Sequence, residues 1–124
     1  MSDQKQILII DDDNRNVFAL SAVLRANRFR VVSATGMEEA FDILGANDDI
    51  GIILTDMMMP GMDGYEGIAK LKADQKYKHI PAIAVTAQAM TGDKEKCLAA
   101  GADGYISKPI DVDVLLQLLA NYFK

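Results

Sequence analysis

An α/β fold is the architecture this sequence predicts: a five-stranded parallel sheet, doubly wound, with five helices divided between its two faces. Five short β-rich runs alternate with segments of helical spacing along the chain. The first, third and fourth runs are almost wholly apolar, as strands covered on both faces must be. The connections between runs are long enough for the crossover helices that parallel neighbours require.

Taken in order, the elements justify this reading. Gln6–Ile10 is the first run, and the helical segment after it places Val17, Leu20 and Leu24 on one face. Arg30–Ala34 follows, then Thr35-Gly36-Met37-Glu38, a capping-box pattern with Glu38 expected at the third helical position. Met37, Ala40, Phe41 and Leu44 form the buried stripe of that second helix, and Gly45 is expected to end it. Ile50–Thr55 is the third run, closed by Asp56. Asp63 and Glu66 give a weaker cap for the third helix, with Gly61 and Gly64 shaping the loop before it. Ala73 to Pro81 is polar and reads as a loop. Ala82–Thr86 leads into a helical stretch containing Cys97 and Leu98, which Gly101 ends. After Gly104–Ser107, a last helix begins near Asp111 with Leu115, Leu118, Leu119 and Tyr122 on its apolar face.

Length and composition limit the function classes. The 124 residues, half of them hydrophobic, suffice for one domain spanning 1–124 with its own core. A net charge of −5 argues against nucleic acid or an anionic membrane as partner. No apolar run approaches the roughly 20 residues needed to span a bilayer, and the start of the chain lacks a signal-peptide pattern. The single cysteine, Cys97, cannot close an internal disulfide, which points to a reducing, cytoplasmic setting.

In an open parallel sheet, ligands bind beyond the carboxyl ends of the strands where the strand order reverses. For the order 2-1-3-4-5 that crevice lies between strands one and three. Strand one delivers Asp11, Asp12 and Asp13 there, strand three Asp56, strand four Thr86, and strand five Lys108-Pro109. Like charges about 4 Å apart repel by roughly 4 kcal/mol at an effective dielectric of 20, so clustered carboxylates need protons or a cation. All-oxygen ligation favours Mg²⁺, Mn²⁺ or Ca²⁺ over zinc. The only histidine, His79, and Cys97 fall away from this edge; His79 reads as structural or solvent-facing and Cys97 as core. Asp13 reads as a helix cap, and Met57, Met58, Met59 and Met62 as packing.

Four motifs, ILIIDDD, LTDMMMPGMDG, AVTA and YISKP, give the chain a resemblance over essentially its whole length to the receiver domains of two-component signalling. The resemblance implies a flavodoxin-like fold and a phosphoacceptor signalling domain rather than an enzyme with a separate substrate. It implies Asp56 as phosphoacceptor, taking its phosphoryl group from a histidine kinase or histidine phosphotransfer protein. It implies Asp12 as a direct Mg²⁺ ligand, Asp11 as an acid acting largely through water, and Met58 as the donor of a backbone carbonyl, with Mn²⁺ able to replace Mg²⁺. Thr86 and Lys108 are expected to bind phosphoryl oxygens, with small Ala87 leaving the donor an approach. Tyr105 is the aromatic whose rotamer follows activation. The Lys108–Pro109 bond is expected to be cis. Output is expected through the face of helix four, strand five and helix five, or by passing the phosphoryl group onward in a phosphorelay.

Other classes fit less well. A flavin carrier needs a Gly/Ser/Thr-rich phosphate loop where this chain has three aspartates. A metal-dependent phosphohydrolase with an Asp nucleophile, of the haloacid dehalogenase-like kind, would have Thr or Val after its paired acids and a cap insertion, and both are missing. A calcium loop would need Gly where Asn16 stands. A receiver-like scaffold that no longer cycles would not need the intact set of acids, threonine and lysine.

Overall fold

The apolar runs of the sequence form the strands. The computed structural model describes residues 5–57, 64–86, 93–108 and 110–122. Along them lie β1 (Gln6–Ile10), α1 (Asn14–Ala26), β2 (Arg30–Ala34), α2 (Met37–Ala46), β3 (Ile50–Asp56), α3 (Gly64–Ala73), β4 (Ala82–Thr86), α4 (Asp93–Ala99), β5 (Gly104–Ser107) and α5 (Val112–Tyr122). The strands pair in parallel in the order β2-β1-β3-β4-β5. The expected residues Met58, Met59, Gly61, Met62, Asp63, Ala87 and Pro109 lie outside the described residues.

Period-two alternation divides the core. Ile7 and Ile9 of β1, Ile52 and Leu54 of β3, and Ile83 and Val85 of β4 face one side, where Leu24 of α1 and Leu115 and Leu119 of α5 cover them. Leu8, Ile10, Ile53, Ala82 and Ala84 face the other, under Met37 and Leu44 of α2, Ile68 and Leu71 of α3, and Cys97 of α4. Burying each large aliphatic side chain contributes about 1.5–3 kcal/mol, so both helical layers are held mainly by this contact. Edge strand β2 has a neighbour on one side only, and its Val31 and Val32 are half-buried. That is why its run is not wholly apolar.

The helix ends refine the expectations. Asp13 caps α1, its carboxylate accepting the Arg15 N–H at 3.0 Å. At α2 the N-cap is Gly36, so the third helical position falls on Glu39 rather than Glu38. The Glu39 carboxylate accepts from the Thr35 N–H at 2.7 Å and the Thr35 hydroxyl at 3.0 Å. Gly45 does not end α2, which continues through Ala46 to a C-cap at Asn47. Gly101, in contrast, has φ +112, a conformation that favours glycine, and closes α4 as expected. Asp111 caps α5 by accepting the Asp113 and Val114 N–H groups.

At the amino ends of the strands a single ammonium ties three segments together. Lys72 Nζ in the last turn of α3 lies 2.6 Å from Asp103 Oδ2 and donates to the carbonyls of Lys78 and Ile80. Asp103 Oδ2 also accepts the Ala82 N–H, so the starts of β4 and β5 share this knot. The same end carries a recess of about 450 Å³ lined by Lys5, Asn47, Ile50, His79, Pro81 and Tyr122. His79 is exposed there, far along the strands from the acids.

Candidate functional site

Strand register brings the acids together at the opposite, carboxyl edge. Ile10 pairs with Thr55, so the residues that follow them, Asp11 and Asp56, emerge side by side at the ends of β1 and β3. Asp56 remains in the strand, opposite Val85. The Asp11 N–H donates to Ala34 O at 3.0 Å and the Met57 N–H to Val85 O at 3.1 Å, so both acids leave the sheet from fixed backbone. Met57 itself is fully buried, the packing role expected for it.

Asp11 and Asp56 are each only 7% exposed, whereas Asp12 is open to solvent. A carboxylate oxygen from each of the three lies within 4.8 Å of the others. Lys108 Nζ stands 3.6 Å from Asp11 Oδ2 and 3.6 Å from Asp56 Oδ1. Two buried carboxylates at this spacing repel by several kcal/mol, and the one ammonium between them balances a single negative charge of the three. Among the described residues, one cation stands against three carboxylates in a cluster of hard oxygens with one solvent-facing member. Such a donor set fits Mg²⁺, which takes one or two carboxylates and keeps several waters.

Thr86 is buried and ends β4, and its carbonyl accepts the Lys108 N–H at 2.7 Å. The threonine and the lysine therefore share one backbone junction beside the acids. Tyr105 stands three residues before Lys108, in register with Ala84, half-buried against the α2–α4 side of the core. Asp13 is drawn into the site only indirectly, its N–H donating to Asp11 Oδ1 at 2.9 Å.

Two features were not legible as site components. The sequence reads Gly64 as shaping the loop and capping the third helix, yet a Cβ there would fall 2.7 Å from the Asp56 carbonyl oxygen and 2.6 Å from Met57 Sδ. Its N–H donates to Met57 O at 3.3 Å, so α3 begins directly on the backbone that carries Asp56. The second is a cavity of about 430 Å³ between α1 and α5, lined by Asp11, Asp56 and Lys108 together with Leu20, Val23 and Ile110. Nothing in the helical spacing distinguishes a groove wall from closed core.

Comparison with known proteins decides the family. The model of the response regulator receiver domain matches residues 7–120. The chain belongs to this family. This receiver is 42% identical over 111 residues to the response regulator PleD of Caulobacter vibrioides, covering 90% of the chain but 24% of PleD. It thus spans about a quarter of that relative's length. It is 34% identical over 118 residues to the polar-differentiation response regulator DivK of Brucella ovis, covering 95% of each chain. Among solved structures, it resembles the receiver domain of a Pseudomonas aeruginosa sensor histidine kinase, determined with magnesium ion coordinated in the active site cleft. That match has a TM-score of 0.86 at 30% identity and covers 96% of this receiver and 97% of the other chain. The fold expected from the sequence is the fold found, and the chain is a receiver domain of two-component signalling. Among the described residues, no helix is long and apolar enough to cross a membrane.

Proposed function

We propose that Asp56 is the phosphoacceptor of this receiver and that residues 1–124 act as one cytoplasmic phosphoacceptor unit. The observation that carries the assignment is Lys108 Nζ at 3.6 Å from both Asp56 and Asp11, with Asp12 completing the cluster. An Asp56 carboxylate oxygen attacks the phosphorus of a phosphohistidine on a histidine kinase or phosphotransfer protein. The P–N bond breaks, its electron pair stays with the imidazole, and an acyl phosphate forms on Asp56. Phosphoryl transfer depends chiefly on positioning and electrostatics, and a buried acid beside a fixed ammonium supplies both.

Asp11, Asp12 and Asp56 would hold Mg²⁺, or Mn²⁺ in its place, with the backbone carbonyl of Met58 assigned by family resemblance. When bound, the ion supplies positive charge against the phosphoryl oxygens. Lys108 pairs with one of those oxygens and the Thr86 hydroxyl binds another. The same groups promote hydrolysis of the acyl phosphate, so the domain assists both its phosphorylation and its dephosphorylation. Tyr105 changes rotamer as Thr86 is drawn toward the phosphoryl group, which presents a downstream protein target with an altered α4–β5–α5 face.

The donor protein docks on α1. This helix starts at Asp13, beside the acids, and exposes Phe18 by 77%. The chain's four arginines, Arg15, Arg25, Arg28 and Arg30, all lie on α1 or just after it and are exposed, although the chain as a whole is acidic. An aromatic anchor among arginines fits an acidic protein surface.

Incubation with acetyl phosphate and Mg²⁺ followed by intact mass tests the central assignment. The wild-type chain should gain one phosphoryl group, and Asp56→Asn or a chelator should abolish the gain. Labelling of Asp56→Asn at the wild-type level would place the acceptor elsewhere.

A further inference from the structure

Helix α4 has one fully buried side chain among its described residues, Cys97, while Glu95, Lys96, Leu98 and Ala99 are exposed. Its position therefore depends strongly on what Cys97 meets. The Cys97 thiol contacts the Tyr65 hydroxyl at 3.9 Å, and Lys96 Nζ lies 4.7 Å from the centroid of the same ring. Two consecutive residues of α4 thus hold one aromatic side chain, by a polar contact at its tip and a cation over its face. Tyr65 is the second residue of α3 and follows Gly64, whose backbone rests on Asp56 and Met57. From the Asp56 carbonyl to α4 the path is one glycine and one ring.

We propose that Tyr65 is a positioning residue that couples the state of Asp56 to the placement of α4. The inference rests on Asp56 being the acceptor. A phosphoryl group adds charge and three acceptor oxygens beside Asp56. The close packing of Gly64 leaves α3 little room to absorb a shift there, because packed contacts transmit strain rather than dissipate it. Displacement at Gly64 reaches the Tyr65 ring, and Lys96 and Cys97 follow it. The route runs along the α3 side of α4 and is separate from the Thr86–Tyr105 side.

The test uses amide chemical shifts with beryllium fluoride and Mg²⁺, in the wild-type chain and in Tyr65→Phe, Tyr65→Leu and Lys96→Met. Tyr65→Phe keeps the ring face and should retain most of the response at Glu95–Ala102. Tyr65→Leu should reduce that response at least threefold and Lys96→Met about twofold. Shifts at Asp12 and Asp56, and the rate of labelling by acetyl phosphate, should stay within twofold of wild type in all three. A wild-type α4 response in Tyr65→Leu overturns the proposal. So does a loss at α4 that merely tracks a loss at Asp56, since that marks damage to the site. If Tyr65→Leu does not fold, Lys96→Met decides alone, because its side chain is exposed. A wild-type chain with no response at Asp56 overturns the phosphoacceptor reading itself, which separates that failure from a response at Asp56 that stops short of α4.

Discussion

Lys108 and Asp12 make opposite contributions to the charge at the crevice, and their removal should have opposite results. Asp12 is the solvent-facing member of the acidic cluster, the acid a hydrated cation meets first. Asp12→Ala should weaken Mg²⁺ binding by about tenfold or more, since even outer partners of metal sites are worth roughly 10–100-fold. Lys108→Ala removes the ammonium that competes for Asp11 and Asp56, so Mg²⁺ should bind at least as tightly as in wild type while the response to beryllium fluoride falls. Calorimetric titration with Mg²⁺ gives both constants, and unchanged affinity in Asp12→Ala would remove it from the ligand set. These residues were legible in the sequence because the strand-end rule locates the crevice before any motif is considered. Met58 was assigned by family resemblance alone, since a backbone carbonyl leaves no side-chain signature.

Elements place these residues, and their joints differ in sensitivity. Gly64 is the joint between Asp56 and α3. Gly64→Ala puts a methyl group under 3 Å from backbone atoms of Asp56 and Met57, and overpacking of this kind costs about 1–3 kcal/mol. The variant should melt lower and accept phosphate from acetyl phosphate more slowly, because the strain falls on the acceptor's own backbone. Glu39→Ala provides the contrast. Loss of its bonds to Thr35 should cost about 1 kcal/mol, a fall of roughly 3–5 °C in Tm, with labelling unchanged. Strand limits were readable almost to the residue, since apolar runs bounded by polar residues leave little freedom. Helix ends were less so. The capping pattern is legible but reads one residue early, because sequence alone does not show that Gly36 rather than Thr35 is the N-cap. Gly45 has the residue type of a helix end, yet packing carries α2 past it to Asn47. Tyr65 carries no local signal in the sequence, because its partners, Lys96 and Cys97, are some thirty residues away and belong to another helix.

At the scale of the whole molecule, charge is distributed unevenly: three acids cluster at one lip of the sheet and the four arginines lie along α1 or just after it. A small phosphodonor needs only the lip, whereas a protein donor needs the helix as well. Phe18→Ala and Arg15→Glu should therefore slow transfer from a phosphorylated histidine protein by tenfold or more and leave labelling by acetyl phosphate unchanged. Raising salt from 0.05 to about 0.5 M should slow only the protein-dependent reaction, as screening shortens the reach of exposed charges. Equal slowing with both donors would show that the substitutions act on the chemistry rather than on docking.

The recess lined by both Lys5 and Tyr122 lies at the amino ends of the strands, whereas the acids open at the carboxyl ends. Lys5 and Tyr122 thus both sit behind the working edge. The mouth of the crevice is left clear of both residues, so a protein donor meets the acids from the side opposite Lys5 and Tyr122.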